Sequence, residues 1–541
     1  MPLQKVLTAI AGNALPAYTF TRSSSGYQVD SDGVLRLRST DQLRIDYLDL
    51  DNDGERETPS IVVELASTNK FTRSIEFSHS TWVKSAATVE ANVAAAPDLS
   101  TQADLLVPST ANAAHFVSQT ASVAASTDHA LSVYAAPSGY RFLTLDIENS
   151  SANAAFRTQF ELSSSGVVMN STTLGVGVLR RSHIDRVRSG VYRCTVVGSI
   201  STSTGANARL FVEQTSAQMA AAWAGGGSSA GLGIMLWGAQ LEESMPAETS
   251  LMQSSAATAS RAAETLYVPF PYTPREMTVY AKVQWRNSYT GANGPRLWEI
   301  SDGSDNGPRV LCYDGGTQIL FYHQNTLGGT AVQTSVAAAP SYGDIVEVVL
   351  HLKGDGAVGG SVSVAGAAES AAVDTSAHSL AGAWAGERLY VNSGPGATLV
   401  GINRLLDLKV DEGVQSMAYM RSLAPFFVID GIAIPVAEGS VREDRVEVGD
   451  RARTFDGTNR ETIRGQYSVW QAETPPLTVG DRNRVAQALE KSTQPHTSYG
   501  AMTRTSTGLL PQVFSRKTGE ALVQSSTDRR YSLAFTVEQS S

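Results

Sequence analysis

The sequence predicts an all-β protein: tandem jelly-roll or β-sandwich domains followed by a C-terminal β-sandwich with one packed α-helix. Three observations lead there. Apolar and polar residues alternate in short runs such as Ala130-Leu131-Ser132-Val133-Tyr134 and Met277 to Val283, the period-two signature of strands. Of 541 residues, 42% are hydrophobic and only 17% charged. Ser, Thr, Gly, Asn and Gln therefore carry the polar balance, at a mean hydropathy of -0.11, as in ordered β proteins rather than disordered tails. Few segments before residue 410 sustain a 3.6-residue apolar period with caps, which leaves sandwich or jelly-roll layers as the architecture.

At about 100–200 residues per domain, the chain divides into several units rather than one core. Residues 1–60 read as an extended, hairpin-bearing lead-in, 61–267 as a jelly roll, 268–424 as a second sandwich, and 425–541 as a separate module. Charge marks the last boundary. Residues 425–541 hold 14 Lys/Arg and 14 Asp/Glu, whereas the preceding residues carry the whole net charge of -10. The Gly/Ala-rich stretch from Ser216 to Gly233 reads as a long loop, and Ile234-Met235-Leu236-Trp237 as the strand closing the first sandwich. Two helices are predicted. Met417, Met420 and Ala424 fall at helical spacing between Val414 and Leu423. Thr478 is a good N-cap, with Asp481 in the first turn and Val485 and Leu489 one turn apart. The second helix lies between predicted strands Arg464–Glu473 and Tyr531–Glu538.

Several function classes are disfavoured at once. A net charge of -10 lacks the basic footprint of a nucleic-acid binder. No stretch reaches the ~18 apolar residues of a membrane-spanning helix, so no membrane insertion is expected. Cys194 and Cys312 are the only cysteines; a disulfide framework is not expected, nor a zinc centre from two thiols and scattered histidines. The apolar run before Ile10 is too short for a secretory leader, which predicts synthesis in the cytoplasm.

Each motif has a plainer structural reading beside it. Gly227-Ser228-Ser229-Ala230-Gly231 matches a nucleophile elbow, but it follows a low-complexity run and precedes a strand, where the elbow needs the reverse. Gly354, Gly356 and Gly359 match a phosphate-cradling loop, yet strands flank them on both sides, so a hairpin turn is expected. Asp49, Asp51, Asp53 and Glu55 reproduce half of a calcium loop. Its last ligand position would fall on Ser60, where a bidentate Glu is needed, and a solvated acidic turn is the competing reading. Asp30-Ser31-Asp32-Gly33 reads as an ordinary turn. No catalytic triad or glycosidase carboxylate pair stands out, so no enzyme is expected and no cofactor beyond that calcium. Neutral saccharides are bound by stacking on exposed aromatic rings. Trp82, Trp237, Tyr267 and Trp285 lie in apolar strand patterns and are predicted to be buried. Tyr289, Trp298, Tyr313 and Tyr322 lie nearer predicted loops and form the candidate carbohydrate-facing set.

An ordered series of segments then resembles one family. Phe20-Thr21-Arg22-Ser23-Ser24 with Val29 to Gly33 comes first. Glu64, Thr68, Asn69, Ser74, Phe77, Trp82 and Lys84 follow in the pattern E-x-x-x-T-N … S … F … W-x-K. Next come Ser189-Gly190-Val191-Tyr192-Arg193, with Val191 where D-G-W-Y-R has Trp, then Trp237-Gly238-Ala239-Gln240-Leu241-Glu242, and finally Thr258 to Glu264. This succession resembles tailed-phage (siphophage-like) tail-tip and fibre proteins over residues 20–267. The resemblance implies a jelly roll of the carbohydrate-binding type and supplies no catalytic residues. Residues 268–424 are similar to concanavalin-like, laminin-G-type sandwiches through Glu299-Ile300-Ser301-Asp302 and Met417–Leu423. Residues 425–541 resemble the distal-tail and tail-tube domain through Asp430-Gly431 and Arg453 to Thr458.

What the resemblance implies is a virion protein of the phage tail. It would form a homo-oligomer, trimer or hexamer, around the tail axis, bind other tail and hub proteins through its C-terminal domain, and present lectin-like domains to host cell-surface polysaccharide. A tail polysaccharide depolymerase and a cellular lectin or adhesin are the alternatives.

Overall fold

The computed structural model describes residues 18–50, 56, 58–200, 204–225, 232–245, 247–272, 276–286, 294–304, 307–324, 331–373, 386–397 and 400–422, together with the backbone of 5–8 and of the C-terminal strands given below. The protein is all-β and built from stacked antiparallel sheets, as the alternation predicts.

The first sandwich packs two six-stranded sheets face to face. Strands Val178–Arg188, Val191–Ser199, His129–Ser138, Gly233–Glu243, Ala103–Pro108 and Ala87–Ala94 form one sheet. Val167–Gly175, Ala154–Glu161, Phe142–Asn149, Gly205–Glu213, Phe116–Ser122 and Val83–Ser85 form the other. Leu131, Val133, Val196 and Leu241 meet Leu143, Leu145, Phe156, Phe160 and Leu210 between them. The strand expected at Ile234–Trp237 is thus central and closes this sandwich. Gly238 interrupts it at φ +64, where a Cβ would press on Tyr134 and Leu251. The register with His129–Ser138 shifts beside it, between Ser132 and Tyr134, a bulge that needs glycine.

The second sandwich is discontinuous in sequence. Thr19–Thr21 pairs with Thr265–Tyr272 at the edge of a seven-stranded sheet that continues through Gly386–Val391, Arg296–Ser301, Arg309–Asp314, Gln318–Gln324 and Ala331–Ala337. The facing sheet runs Ser370–Val373, Val358–Val364, Ile345–Leu352, Met277–Gln284, Arg404–Glu412, and then Thr58–Val62 and Arg44–Leu48 from the N-terminal segment. Ile61, Val279, Val348 and Leu408 pack against Leu266, Trp298, Ile300 and Phe321. The boundary expected at 60/61 falls inside the strand Thr58–Val62, and residues 18–65 are not a separate lead-in. They supply strands to the second sandwich, into which the first is inserted. Ser67–Asn69 and Ala259–Arg261 pair where the chain leaves and returns.

Between its two contributions to that sandwich, the N-terminal segment forms the hairpin Gly26–Val29/Leu35–Arg38, which lies over the outer face of the first sandwich. Tyr27, Leu35, Val187, Tyr134, Trp237 and Leu251 form a cluster there. This explains why His129–Ala135 is buried at every position rather than alternately. At the hairpin tip, the Asp30 carboxylate accepts from the Asp32 and Val34 amides, the ordinary turn expected. Gly356 turns the hairpin between Ile345–Leu352 and Val358–Val364 at φ +82, which settles the glycine motif there as a turn. The predicted helix near 414–423 is observed as Met417–Ser422. Met417 and Met420 pack on Tyr280 and Val349, and Lys409 Nζ donates to the Met420 and Arg421 carbonyls at the helix C-terminus, where a cation is favoured.

In the C-terminal module, Phe426–Ile429 pairs with Ile432–Pro435. A five-stranded sheet follows in the order Arg442–Arg453, Asn459–Glu473, Tyr531–Gln539, Gln512–Gln524, His496–Ser498. The expected strands 464–473 and 531–538 are adjacent partners in it. The helix expected from Thr478 and the Gly227–Gly231 motif both lie outside the described residues.

The base of the insertion is held by a buried ionic clasp. Glu64, just before the crossing, faces Glu264, just after it. The Glu64 amide donates to Glu264 Oε2 at 2.9 Å, and the Glu264 amide to the Glu64 carbonyl at 3.0 Å. Arg44 Nη2 bridges both carboxylates, 2.9 Å from Glu64 and 2.6 Å from Glu264. Arg22 lies 3.2 Å from Glu264, and Arg261 and Arg404 each 3.1 Å from Glu64. Arg404 also meets Asp46 at 3.0 Å. Replacing Glu64 with Gln leaves the buried Arg261 without its counter-charge and takes one of two carboxylates from Arg44 and from Arg404. It is expected to cost about 3–5 kcal/mol of stability, readable as a lowered denaturant midpoint.

Candidate functional site

The residues carrying the sequence resemblance divide between the junction of the sandwiches and the interior of the first one. Arg22, Glu64, Arg261 and Glu264 form the clasp. Asn69 Nδ2 donates to the Ala239 and Met252 carbonyls, while its Oδ1 accepts from the Phe71 and Leu241 amides. Glu242 accepts from Ser67, Gln240 and Thr249. Ser74 bonds Ser254. Trp82 is buried against Phe71 and Phe77, its indole N–H on the Arg73 carbonyl at 2.9 Å, and Lys84 Nζ donates to the Ser78 and His79 carbonyls.

The aromatic set divides. Trp298 is fully buried in the core of the second sandwich and cannot stack a sugar, a correction to the sequence reading. It faces inward because it lies in the strand Arg296–Ser301, not in a loop. Tyr313 and Tyr322 do come together, on the outer face of the same sheet with Leu311 and Leu320. Tyr313 is 5% exposed and its hydroxyl is committed to Gln333 at 3.1 Å; Tyr322 is half-buried with its hydroxyl on Gln324. Tyr289 lies outside the described residues. Trp82, Trp237 and Trp285 are buried as expected, whereas Tyr267 is half-buried against Tyr390 and Arg388. Of the calcium set, Asp51, Asp53 and Glu55 lie outside the described residues. Asp49 is half-buried and lines a cleft that composition alone did not suggest.

That cleft lies between the two sandwiches and encloses about 120 Å³. The first sandwich contributes Asp185, Arg186 and Arg193; the second contributes Arg286 and Tyr342; Glu248, on the loop after Gly233–Glu243, lies between them. His183, on the same strand as Asp185, stacks on the Tyr342 ring with centroids 4.0 Å apart. Arg181 and Arg286 lie over the same ring at 4.6 and 5.3 Å. The His183 Nε2 is 3.0 Å from Glu248 Oε2 and 3.8 Å from Asp185 Oδ2, while Arg286 and the Tyr342 hydroxyl both reach Glu248 Oε1. Arg193 donates to Ser132 Oγ at 3.0 Å and the Thr249 carbonyl at 2.7 Å. Arg56 is held entirely by carbonyls, those of Tyr47, Arg186 and Val187.

His183, Asp185 and Glu248 are close enough to ligate one metal ion. The crowd of guanidinium groups makes the surroundings hostile to a cation. Burial raises the Glu248 carboxyl, but His183 and Arg286 outweigh it and hold the group well below the usual carboxylate range. Glu64 behaves alike: burial raises it, and Arg261, Arg44 and Arg404 pull it well below. Sequence reading missed this cleft, although Arg181, His183 and Asp185 put polar groups at every second position of one strand, where a core-facing strand would place apolar residues.

The sequence matches no family profile and no curated protein. Among solved structures, the Ruminococcus gnavus IT-sialidase CBM40 bound to α2,3-sialyllactose is similar at 12% identity and TM-score 0.22, over 27% of this chain and 80% of that one. A botulinum neurotoxin serotype D/C binding domain is similar at 8% identity and TM-score 0.22, over 52% and 83%. Mouse laminin α1 domains LG4-5 are similar at 12% identity and TM-score 0.18, over 56% and 85%. Identities and TM-scores this low say nothing of what this chain binds.

Both depressed carboxyls are ionised in the fold at pH values where the unfolded chain would begin to protonate them. Their stabilisation is complete above the usual carboxylate value near 4.5 and disappears as pH falls through the depressed values. Acid unfolding followed by near-ultraviolet circular dichroism is expected to show stability falling below that pH, with a shallower fall in Glu64→Gln and Glu248→Gln.

Proposed function

We propose that this chain is a non-enzymatic structural protein of a phage tail tip. It docks through residues 425–541, as a trimer or hexamer around the tail axis and against other tail and hub proteins, and holds two sandwiches outward to bind host cell-surface polysaccharide. The observation that carries the reading is that the members which open and close the motif series, Arg22, Glu64, Arg261 and Glu264, meet in the clasp where the chain crosses between the sandwiches. A series that preserves a junction specifies a rigid display unit rather than a reaction centre. The C-terminal module, with its balanced and denser charge, suits recognition of neighbours through charged flanks. Weak saccharide sites suffice in such an assembly, because linked copies raise the effective concentration.

Removing residues 425–541 is expected to leave folded sandwiches that no longer enter particles, measured by immunoblot of purified virions. Normal incorporation of the truncated chain would refute the docking role. Retention of the full-length chain on immobilised host polysaccharide, with no reducing ends released, is expected of a binder; release of reducing ends would favour the depolymerase alternative.

A further inference from the structure

We propose that the cleft between the sandwiches is a binding site for a carboxylate-bearing sugar residue, a uronic or sialic acid. The inference rests on the saccharide-binding reading above and narrows it to one place and one ligand chemistry.

The cleft holds more hydrogen-bond donors than its own acceptors satisfy. Arg193 and Arg286 line it at 7% and 5% exposure, and in both the Nε–H has no acceptor. The half-buried Arg186 adds a third such Nε–H at the same cleft. Arg181 beside it adds an unpaired Nε and Nη2 over the Tyr342 ring. Leaving such donors dry is costly, because a buried charged donor without a partner forfeits its hydration. The acidic groups do not answer this need. Asp46 is taken by Arg404; Glu248 is taken at Oε1 by Arg286 and Tyr342, with His183 3.0 Å from its Oε2; and Asp185 lies 3.8 Å from His183.

An incoming carboxylate meets the unanswered donors directly, since guanidinium N–H groups and carboxylate oxygens match in geometry and charge. A carboxylate alone would leave the rest of the cleft unmatched. Asp185, 44% exposed in its side chain, offers an acceptor to sugar hydroxyls, and the polar walls suit a hydroxylated ring better than an apolar acid. A divalent cation is the wrong occupant for a site whose unanswered groups are donors.

The test is isothermal titration of the full-length chain with glucuronate, N-acetylneuraminate, glucose and inorganic phosphate. Saturable binding of at least one of the two acidic sugars is expected, weakened by salt, with none for glucose and weaker binding of phosphate. The stronger of the two identifies a uronic or a sialic ligand. Arg186→Gln and Arg193→Lys are each expected to weaken it at least about tenfold, the loss of one charge-assisted hydrogen bond, with far-ultraviolet dichroism unchanged. If Arg193→Lys does not fold, the half-buried Arg186→Gln carries the test alone. Phosphate binding as tightly as the sugars, or affinity unchanged in folded Arg186→Gln, overturns the site. Retention on host polysaccharide that is indifferent to Arg186→Gln overturns the site while the saccharide-binding reading stands; no retention of the unaltered chain overturns both.

Discussion

A buried ion cluster at the base of the insertion, where the chain leaves the second sandwich and returns to it, holds this molecule together. Asp46 and Glu64 precede the inserted domain, Glu264 follows it, and Arg22, Arg44, Arg261 and Arg404 reach them from both sides of the insertion. Removed from water, such charges are tolerable only with every partner in place. The requirement holds the two chain crossings side by side, because parting them would strand an Arg or a Glu in a dry interior. Hydrogen bonds from the Ser250 amide and hydroxyl to Glu64 draw the loop that also bears Glu248 into the same arrangement.

The cleft is a consequence of that placement. Glu248 sits two residues from Ser250, so the clasp positions the carboxylate that organises the cleft wall with Arg286 and His183. Tyr342 serves as a common platform for Arg181, Arg286 and His183, holding cations close together that would otherwise repel. The guanidinium donors left over at Arg186, Arg193 and Arg286 point to a ligand rich in acceptors.

Much of the architecture is legible from residues 100–420. The alternation in Met277–Val283 and the apolar run at Ile234–Trp237 announce strands, and the helical spacing of Met417 and Met420 announces the α-helix Met417–Ser422, since side-chain periodicity follows directly from burying one face. Insertion of one domain into another is not legible. The strand Thr58–Val62 looks the same in sequence whether it pairs forward or, as it does, with Arg404–Glu412 more than three hundred positions away. Nor is the orientation of Trp298: a tryptophan near polar residues in sequence fits either face of a strand, and the pairing register turned this one inward.

What the chain's residues determined unaided was the period-two pattern and the turns at Gly33 and Gly356, together with the ordered series of motifs from Phe20 to Glu264. Local sterics and hydrophobic burial suffice for the first two, and they act over a few residues. Only the folded state decided that Arg22, Glu64, Arg261 and Glu264 form a clasp rather than a ligand surface, and that His183, Arg193, Glu248, Arg286 and Tyr342 face one another. Charges separated by tens to hundreds of positions acquire meaning from distances of about 3 Å, and those distances exist only once the two sandwiches have closed on each other.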